Sequence, residues 1–194
     1  VKIAAVLLAG GESRRMGRDK ATLLFGEKPL WKNQLDLLRK LRPSEIFVSA
    51  RTDPSWRPAD IQFVADAEPS RGPLSGMAAS LTRMRSNHLL ALAIDMPFMS
   101  EQCLRRICRK MEHGRGVVPI IEDRAEPLSA VYPAEVAADF CAALKGTDFS
   151  LQALIKKLVQ AGTLYIYPVT KDEERFYRNV NRETDLSSFS EKRR

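Results

Sequence analysis

The chain has 194 residues, of which 44% are hydrophobic and 28% charged, an ordinary balance for a globular protein long enough to bury one large core. Its formal net charge of +7 would suit a nucleic acid, but the cations are dispersed, no basic run is interleaved with aromatics, and a cluster forms only at Lys192-Arg193-Arg194; a polyanionic small molecule accounts for the surplus equally well. Cys103, Cys108 and Cys141 are too few and wrongly spaced for a zinc site or a disulfide framework, and the first apolar run is far too short to span a membrane, so the expectation is a cytoplasmic protein without nucleic-acid or membrane partners.

Val1 to Leu8 is a nearly unbroken apolar segment of the kind that forms a strand buried on both faces of a parallel sheet. The composition then changes abruptly. Gly10 and Gly11 remove two side chains where the strand ends, and Gly17 frees the backbone again, so main-chain N–H groups can turn into one concavity while Arg14, Arg15 and Lys20 hang from the same loop. Such donors with fixed positive charge suit a polyphosphate, whose oxygens only accept. No Gly-Lys-Ser/Thr ending and no G-x-G-x-x-G occurs, which excludes the two best-known phosphate loops.

Residues 21–28 read as a short extended excursion turning at Gly26, and Pro29 opens a helix whose apolar face carries Leu30, Trp31, Gln34, Leu35, Leu38 and Leu41. Strands are expected at Glu45–Ala50 and Ile61–Ala65, with Asp66 delivered to the carboxyl end of the latter, where open parallel sheets gather ligands. In Ser70-Arg71-Gly72-Pro73-Leu74-Ser75-Gly76-Met77, Gly72 and Gly76 permit close approach to a flat ring and Pro73 can begin a helix through Leu81 and Met84. Leu89–Ile94 reads as the central strand. It ends in Asp95-Met96-Pro97-Phe98 and carries the Asp95 carboxylate to the ligand edge, where Mg²⁺ is a fitting partner because it takes one or two carboxylates and completes its shell with water and phosphate oxygens.

Ser100 caps the next helix, expected to reach about Met111. Strands follow at 117–121 and 126–132, helices at about 133–144 and 150–159, and an alternating strand at 163–169. His88 and His113, each next to a helix end, read as surface residues. Strands alternating with helices, with glycine loops at their ends, specify a three-layer α/β domain with a mainly parallel sheet.

The pattern L-A-G-G-x-S-x-R-M-G-x-D-K-A from Leu8 to Ala21 resembles the signature loop of sugar-nucleotide-type nucleotidyltransferases, and most closely that of the molybdenum cofactor guanylyltransferases. Gly72-Pro73-Leu74-Ser75-Gly76 is similar to that family's G-P-L-x-G, Asp95-Met96-Pro97-Phe98 to its metal-binding strand end, and Asn179-Val180-Asn181 to its N-V-N, although Arg182-Glu183 stands where Thr-Pro is usual. The resemblance implies a single Rossmann-like α/β/α domain over 1–194, with a nucleotide-binding part to about 112 and an acceptor-binding part from about 113 to 190. The implied activity is transfer of GMP from GTP to the terminal phosphate of molybdopterin, with Mg²⁺ as cofactor and molybdoenzymes or cofactor-synthesis proteins as further partners.

By the same resemblance Leu8, Ala9, Gly10, Gly11, Lys20, Asp66, Gly72, Leu74, Gly76 and Asp95 hold the nucleotide. Arg15, Lys20 and Asp95 carry catalysis, Asp95 holds the metal, and Asn179 and Asn181 meet the acceptor. Ser49 stands where the family commonly has Asn in V-x-N, so a hydroxyl replaces an amide in the expected reading of the base. Three alternatives stay open: the same fold with another base or acceptor, as in a molybdopterin cytidylyltransferase; a non-catalytic GTP- or partner-binding domain; and a basic nucleic-acid-binding protein.

Overall fold

The structure, a computed structural model, describes residues 2–10 and 19–180. The strands are β1 (Ile3–Leu8), β2 (Leu24–Phe25), β3 (Lys28–Pro29), β4 (Glu45–Ala50), β5 (Gln62–Ala65), β6 (His88–Ala93), β7 (Gly116–Ile121), β8 (Arg124–Ala125), β9 (Val131–Pro133) and β10 (Leu164–Pro168). The helices are α1 (Leu30–Lys40), α2 (Pro73–Arg83), α3 (Glu101–Arg109), α4 (Ala137–Lys145), α5 (Leu151–Gln160) and α6 (Lys171–Glu174).

The main sheet runs β10-β7-β9-β6-β1-β4-β5, with β8 added to β7. β1 lies parallel to both β4 and β6, β4 to β5, and β7 to β10, while β9 runs antiparallel between β6 and β7. This is the expected three-layer, mainly parallel sheet. The alternation of side chains along β1 explains its unbroken apolarity: Ala4, Val6 and Leu8 enter one core with Leu74, Met77 and Leu81 of α2, Phe140 of α4 and Leu154, Ile155 and Leu158 of α5. Ala5 and Leu7 enter the other with Leu30, Leu35 and Leu38 of α1 and Cys103, Leu104 and Ile107 of α3. A strand covered on both faces has no polar side.

Several elements differ from their sequence-based expectations. The single strand expected over 126–132 is divided: Pro127–Ser129 forms a turn of 3-10 helix, and pairing resumes only at Val131. Pro127 has no N–H to give a ladder, which favours the interruption. The following helix starts regularly at Ala137, because Pro133 still belongs to β9 and Ala134–Val136 is again 3-10. His88, expected at the surface, is fully buried. It is the first residue of β6, opposite Ile3 and Pro133, with Nε2 3.1 Å from the Arg115 carbonyl oxygen, so it belongs to the sheet rather than to the preceding connection.

Backbone bonds continue past the strand ends. Ala9 N–H donates to Ser49 O (2.9 Å), Ile94 N–H to Leu8 O (3.1 Å) and Asp66 N–H to Ala50 O (3.0 Å), so the first residues after β1, β5 and β6 leave the sheet from fixed points.

Candidate active site

Because β1, β4, β5 and β6 are parallel, their carboxyl ends share one edge, and the residues that follow them meet there. A cleft of about 290 Å³ is lined by Leu8 at the end of β1 with Ala9 and Gly10 after it, Arg51 after β4, Asp66 after β5, and Ala93, Ile94 and Asp95 at the end of β6. Lys20, Ser70, Gly72, Pro73 and Leu128 complete it. Of the expected nucleotide-binding residues, seven therefore converge: Leu8, Ala9, Gly10, Lys20, Asp66, Gly72 and Asp95.

Lys20 Nζ donates to Asp95 Oδ2 at 3.4 Å, across 75 positions of sequence. The two side chains are 21% and 25% exposed, enough to reach a ligand yet partly shielded from water, where their fields are stronger. Lys20 opens a 3-10 turn capped by Asp19, whose Oδ1 accepts the Ala21 N–H at 2.9 Å. Asp95 is fixed through its main chain, since its carbonyl accepts the Val180 N–H at 2.8 Å. The next residue is held from α1, where buried Gln34 donates from Nε2 to Met96 O at 2.7 Å.

Asp66 lies deeper, 7% exposed, with Oδ1 accepting the Ser49 hydroxyl at 2.9 Å. Burial raises its carboxyl pKa above the ordinary value, opposed by the Ser49 hydrogen bond and the Arg51 charge. Two glycines make room for this pair. A Cβ on Gly10 would stand 2.9 Å from Asp66 Oδ2, and one on Gly76 would stand 2.7 Å from Ser49 Oγ and 3.0 Å from Asp66 Oδ1. Gly76 thus lets α2 pack on the Ser49–Asp66 pair, which corrects the expectation that it makes space for a flat ring. Gly72 has a φ of +65°, which favours glycine, and nothing lies within 4 Å of where its Cβ would be.

Two more expectations change. Ser49 is fully buried and binds Asp66, so its hydroxyl does not face a base in the cleft. Leu74 points into the core, 1% exposed, and can contribute to ligand binding only through its main chain. Asn179 is exposed beside fully buried Val180, whose N–H tie to Asp95 brings this segment to the cleft edge. Gly11, Arg15 and Asn181 lie outside the described residues.

Residues that carried no expected role include Arg51, Ser70 and Leu128 in the lining, together with exposed Asp19, which caps the Lys20 turn, and buried Gln34. Gln34 carried a signal, a polar residue in phase with Leu30 and Leu38 on an apolar helical face. Ser70 Oγ is buried beside Asp66 and helps to hold that carboxyl down against the effect of burial. No group of three or more His, Cys, Asp or Glu residues suited to a metal occurs among the described residues. The single carboxylate of Asp95 on the cleft wall is still a donor that suits Mg²⁺, which draws most of its shell from water and phosphate oxygens.

A glycine turn, a lysine and two carboxylates thus gather at the carboxyl edge of a parallel sheet, the edge where such sheets hold their ligands. Residues 5–163 match the family described as MobA-like NTP transferase domain, and the chain belongs to that family. It is 32% identical over 189 residues to the "Probable molybdenum cofactor guanylyltransferase" of Opitutus terrae, covering 94% of this chain and 92% of that one. The Rhizobium johnstonii "Molybdenum cofactor guanylyltransferase" is 30% identical over 143 residues, 71% of this chain and 66% of that one. The crystal structure of molybdopterin-guanine dinucleotide biosynthesis protein A from Archaeoglobus fulgidus has the same fold, with a TM-score of 0.77, 23% identity and 95% of each chain covered.

Proposed function

We propose that this protein transfers GMP from GTP to the terminal phosphate of molybdopterin, releasing pyrophosphate and forming molybdopterin guanine dinucleotide. The names of its relatives support the substrates, and the observation that carries the chemistry is the Lys20–Asp95 pair at the mouth of the cleft. The attacking phosphate is already an anion, so the reaction needs no Ser, Cys or His nucleophile and no strong base. It needs alignment and neutralisation of charge.

In this reading the Gly10 backbone and Lys20 receive the nucleotide phosphates, and Arg15 adds a second cation as pyrophosphate leaves. Gly72 leaves space beside the base, and Asp66 fixes the nucleoside. Asp95 is the side chain that would hold Mg²⁺, which supplies charge neutralisation on phosphate oxygens when bound. The lining comes almost wholly from residues before 112, with Leu128 the exception, which supports a nucleotide part to about 112 and an acceptor part beyond it. Asn179 and Asn181 belong to the acceptor side. Operation in the cytoplasm, alongside molybdoenzymes or cofactor-synthesis proteins, is part of the same reading; no helix of the described residues is long and apolar enough to cross a membrane.

The test is pyrophosphate release from each of the four ribonucleoside triphosphates, with and without molybdopterin and Mg²⁺. Release from GTP that requires both is the expected result. A preference for CTP overturns the guanylyl assignment, and no release from any triphosphate overturns the catalytic one.

A further inference from the structure

The connection between β4 and β5 reaches over the turn that carries Lys20. Trp56, in the middle of that connection, donates its indole Nε1–H to Asp19 Oδ2 at 2.9 Å. The other oxygen of the same carboxylate, Oδ1, takes the Ala21 N–H and so caps the turn beginning at Lys20. Asp19 is held at both oxygens, which leaves its side chain one orientation. Trp56 is itself fixed by stacking on Trp31 in the first turn of α1, with ring centroids 5.6 Å apart and planes 14° from parallel. From α1 through Trp31, Trp56 and Asp19 the contacts end at Lys20, whose Nζ stands 3.4 Å from Asp95.

We propose that Trp56 is a positioning residue for the transfer reaction: its indole N–H orients Asp19 and thereby sets where Lys20 meets the departing phosphate. A lysine has four rotatable bonds, and the turn it springs from decides which part of the cleft its charge can reach. Trp56 touches no reacting atom. Its effect belongs in the chemical step, because misplacement of a charge by a fraction of an ångström is felt where charge develops, and less in ground-state nucleotide binding shared among many backbone groups. The proposal rests on the transferase reading above but not on which base is used.

Trp56→Phe keeps an aromatic ring for Trp31 and removes only the N–H. Asp19→Asn keeps an amide oxygen for the Ala21 cap and sets the amide N–H₂ donors against the indole donor. Both are measured with whichever nucleoside triphosphate the unaltered protein turns over, so a preference for CTP would overturn the guanylyl reading and leave this test standing. The expected result for each is a kcat lower by about tenfold to a hundredfold, with KM for the triphosphate within about threefold and the thermal midpoint nearly unchanged. The double variant should lose no more than the worse single one, since both break one contact. Unchanged kcat in Trp56→Phe, a loss of kcat matched by loss of folded protein in both single variants, or additive losses in the double variant would each overturn the proposal. If Trp56→Phe fails to fold, Asp19→Asn decides by the same split between kcat and KM.

Discussion

Lys20 and Asp66 occupy the same cleft in opposite electrostatic circumstances. Lys20 is partly exposed and has a carboxylate within reach, so its removal should leave folding intact and the reaction without a preorganised charge. Lys20→Ala is therefore expected to lower kcat by roughly 10²–10³ with little change in thermal midpoint, read from single-turnover pyrophosphate release and thermal unfolding. Asp66 is a buried carboxyl raised by desolvation, and the sign of its contribution follows. The folded state holds its proton more tightly than the unfolded chain, whose Asp value is about 3.9. Its cost to stability is absent below that value and appears as pH rises through the higher folded one. Asp66→Asn should thus raise the thermal midpoint at pH 7.5, and the gain should fade towards pH 4. A gain independent of pH would remove desolvation as its cause. Ser49→Ala withdraws the hydrogen bond that partly offsets burial, so it should raise the Asp66 value further, seen as a shift of the activity–pH profile to higher pH. Asp66 and Asp95 were legible in the sequence because each follows an apolar strand into the ligand edge, and Lys20 because it is a cation of the glycine-containing stretch that follows β1. The duty of Ser49 was not: along one strand, only the approach of α2 decides whether a hydroxyl faces the ligand or lies beneath it.

At the scale of elements, the short α6 is held by one carboxylate. Glu173, 4% exposed, completes a capping box with Thr170, accepts the Tyr167 hydroxyl at 3.0 and 3.1 Å, and pairs with Arg106 of α3. Burial alone would raise its pKa, but the Thr170 N–H, the Tyr167 and Thr170 hydroxyls and Arg106 outweigh it and hold the carboxyl below its ordinary value. Its pH dependence is then the reverse of that of Asp66. The stabilisation is present above the unfolded value of about 4.3 and is lost as pH falls through the lower folded one. Glu173→Gln should lower the thermal midpoint by roughly 3–6 °C at pH 7, the half-exposed Arg106 limiting the effect, and the difference should shrink below pH 4. Element boundaries show where pattern reading stops. The cap at Ser100 and the hairpin turn at Gly26 follow from local chemistry and appear as expected. In 126–132 Pro127 is a local signal for the interruption, but the placement of β9 between β6 and β7, where pairing resumes, is encoded by no local signal at Leu128 or Ala130.

At the scale of the whole molecule, the cleft is assembled from strand ends while Val180, far along the chain, closes on Asp95 through one backbone hydrogen bond. Removing residues 179–194 should therefore disturb Asp95 as well as the acceptor side, measured as a weaker Mg²⁺ dependence of turnover together with a higher KM for molybdopterin. The position of β9 has a consequence in time. β1, β4, β5 and β6 lie side by side and are complete by residue 93, so their pairing can proceed while the rest of the chain is still being synthesised. β7 emerges next, but its route to that sheet runs through β9, with Val117 opposite Val131 and His88, Leu89 and Leu90 opposite Pro133, Tyr132 and Val131. A nascent chain thus carries an early four-stranded half with an open edge at β6, and β7 and β10 can join it only after a three-residue strand has left the ribosome and turned back to fill the gap.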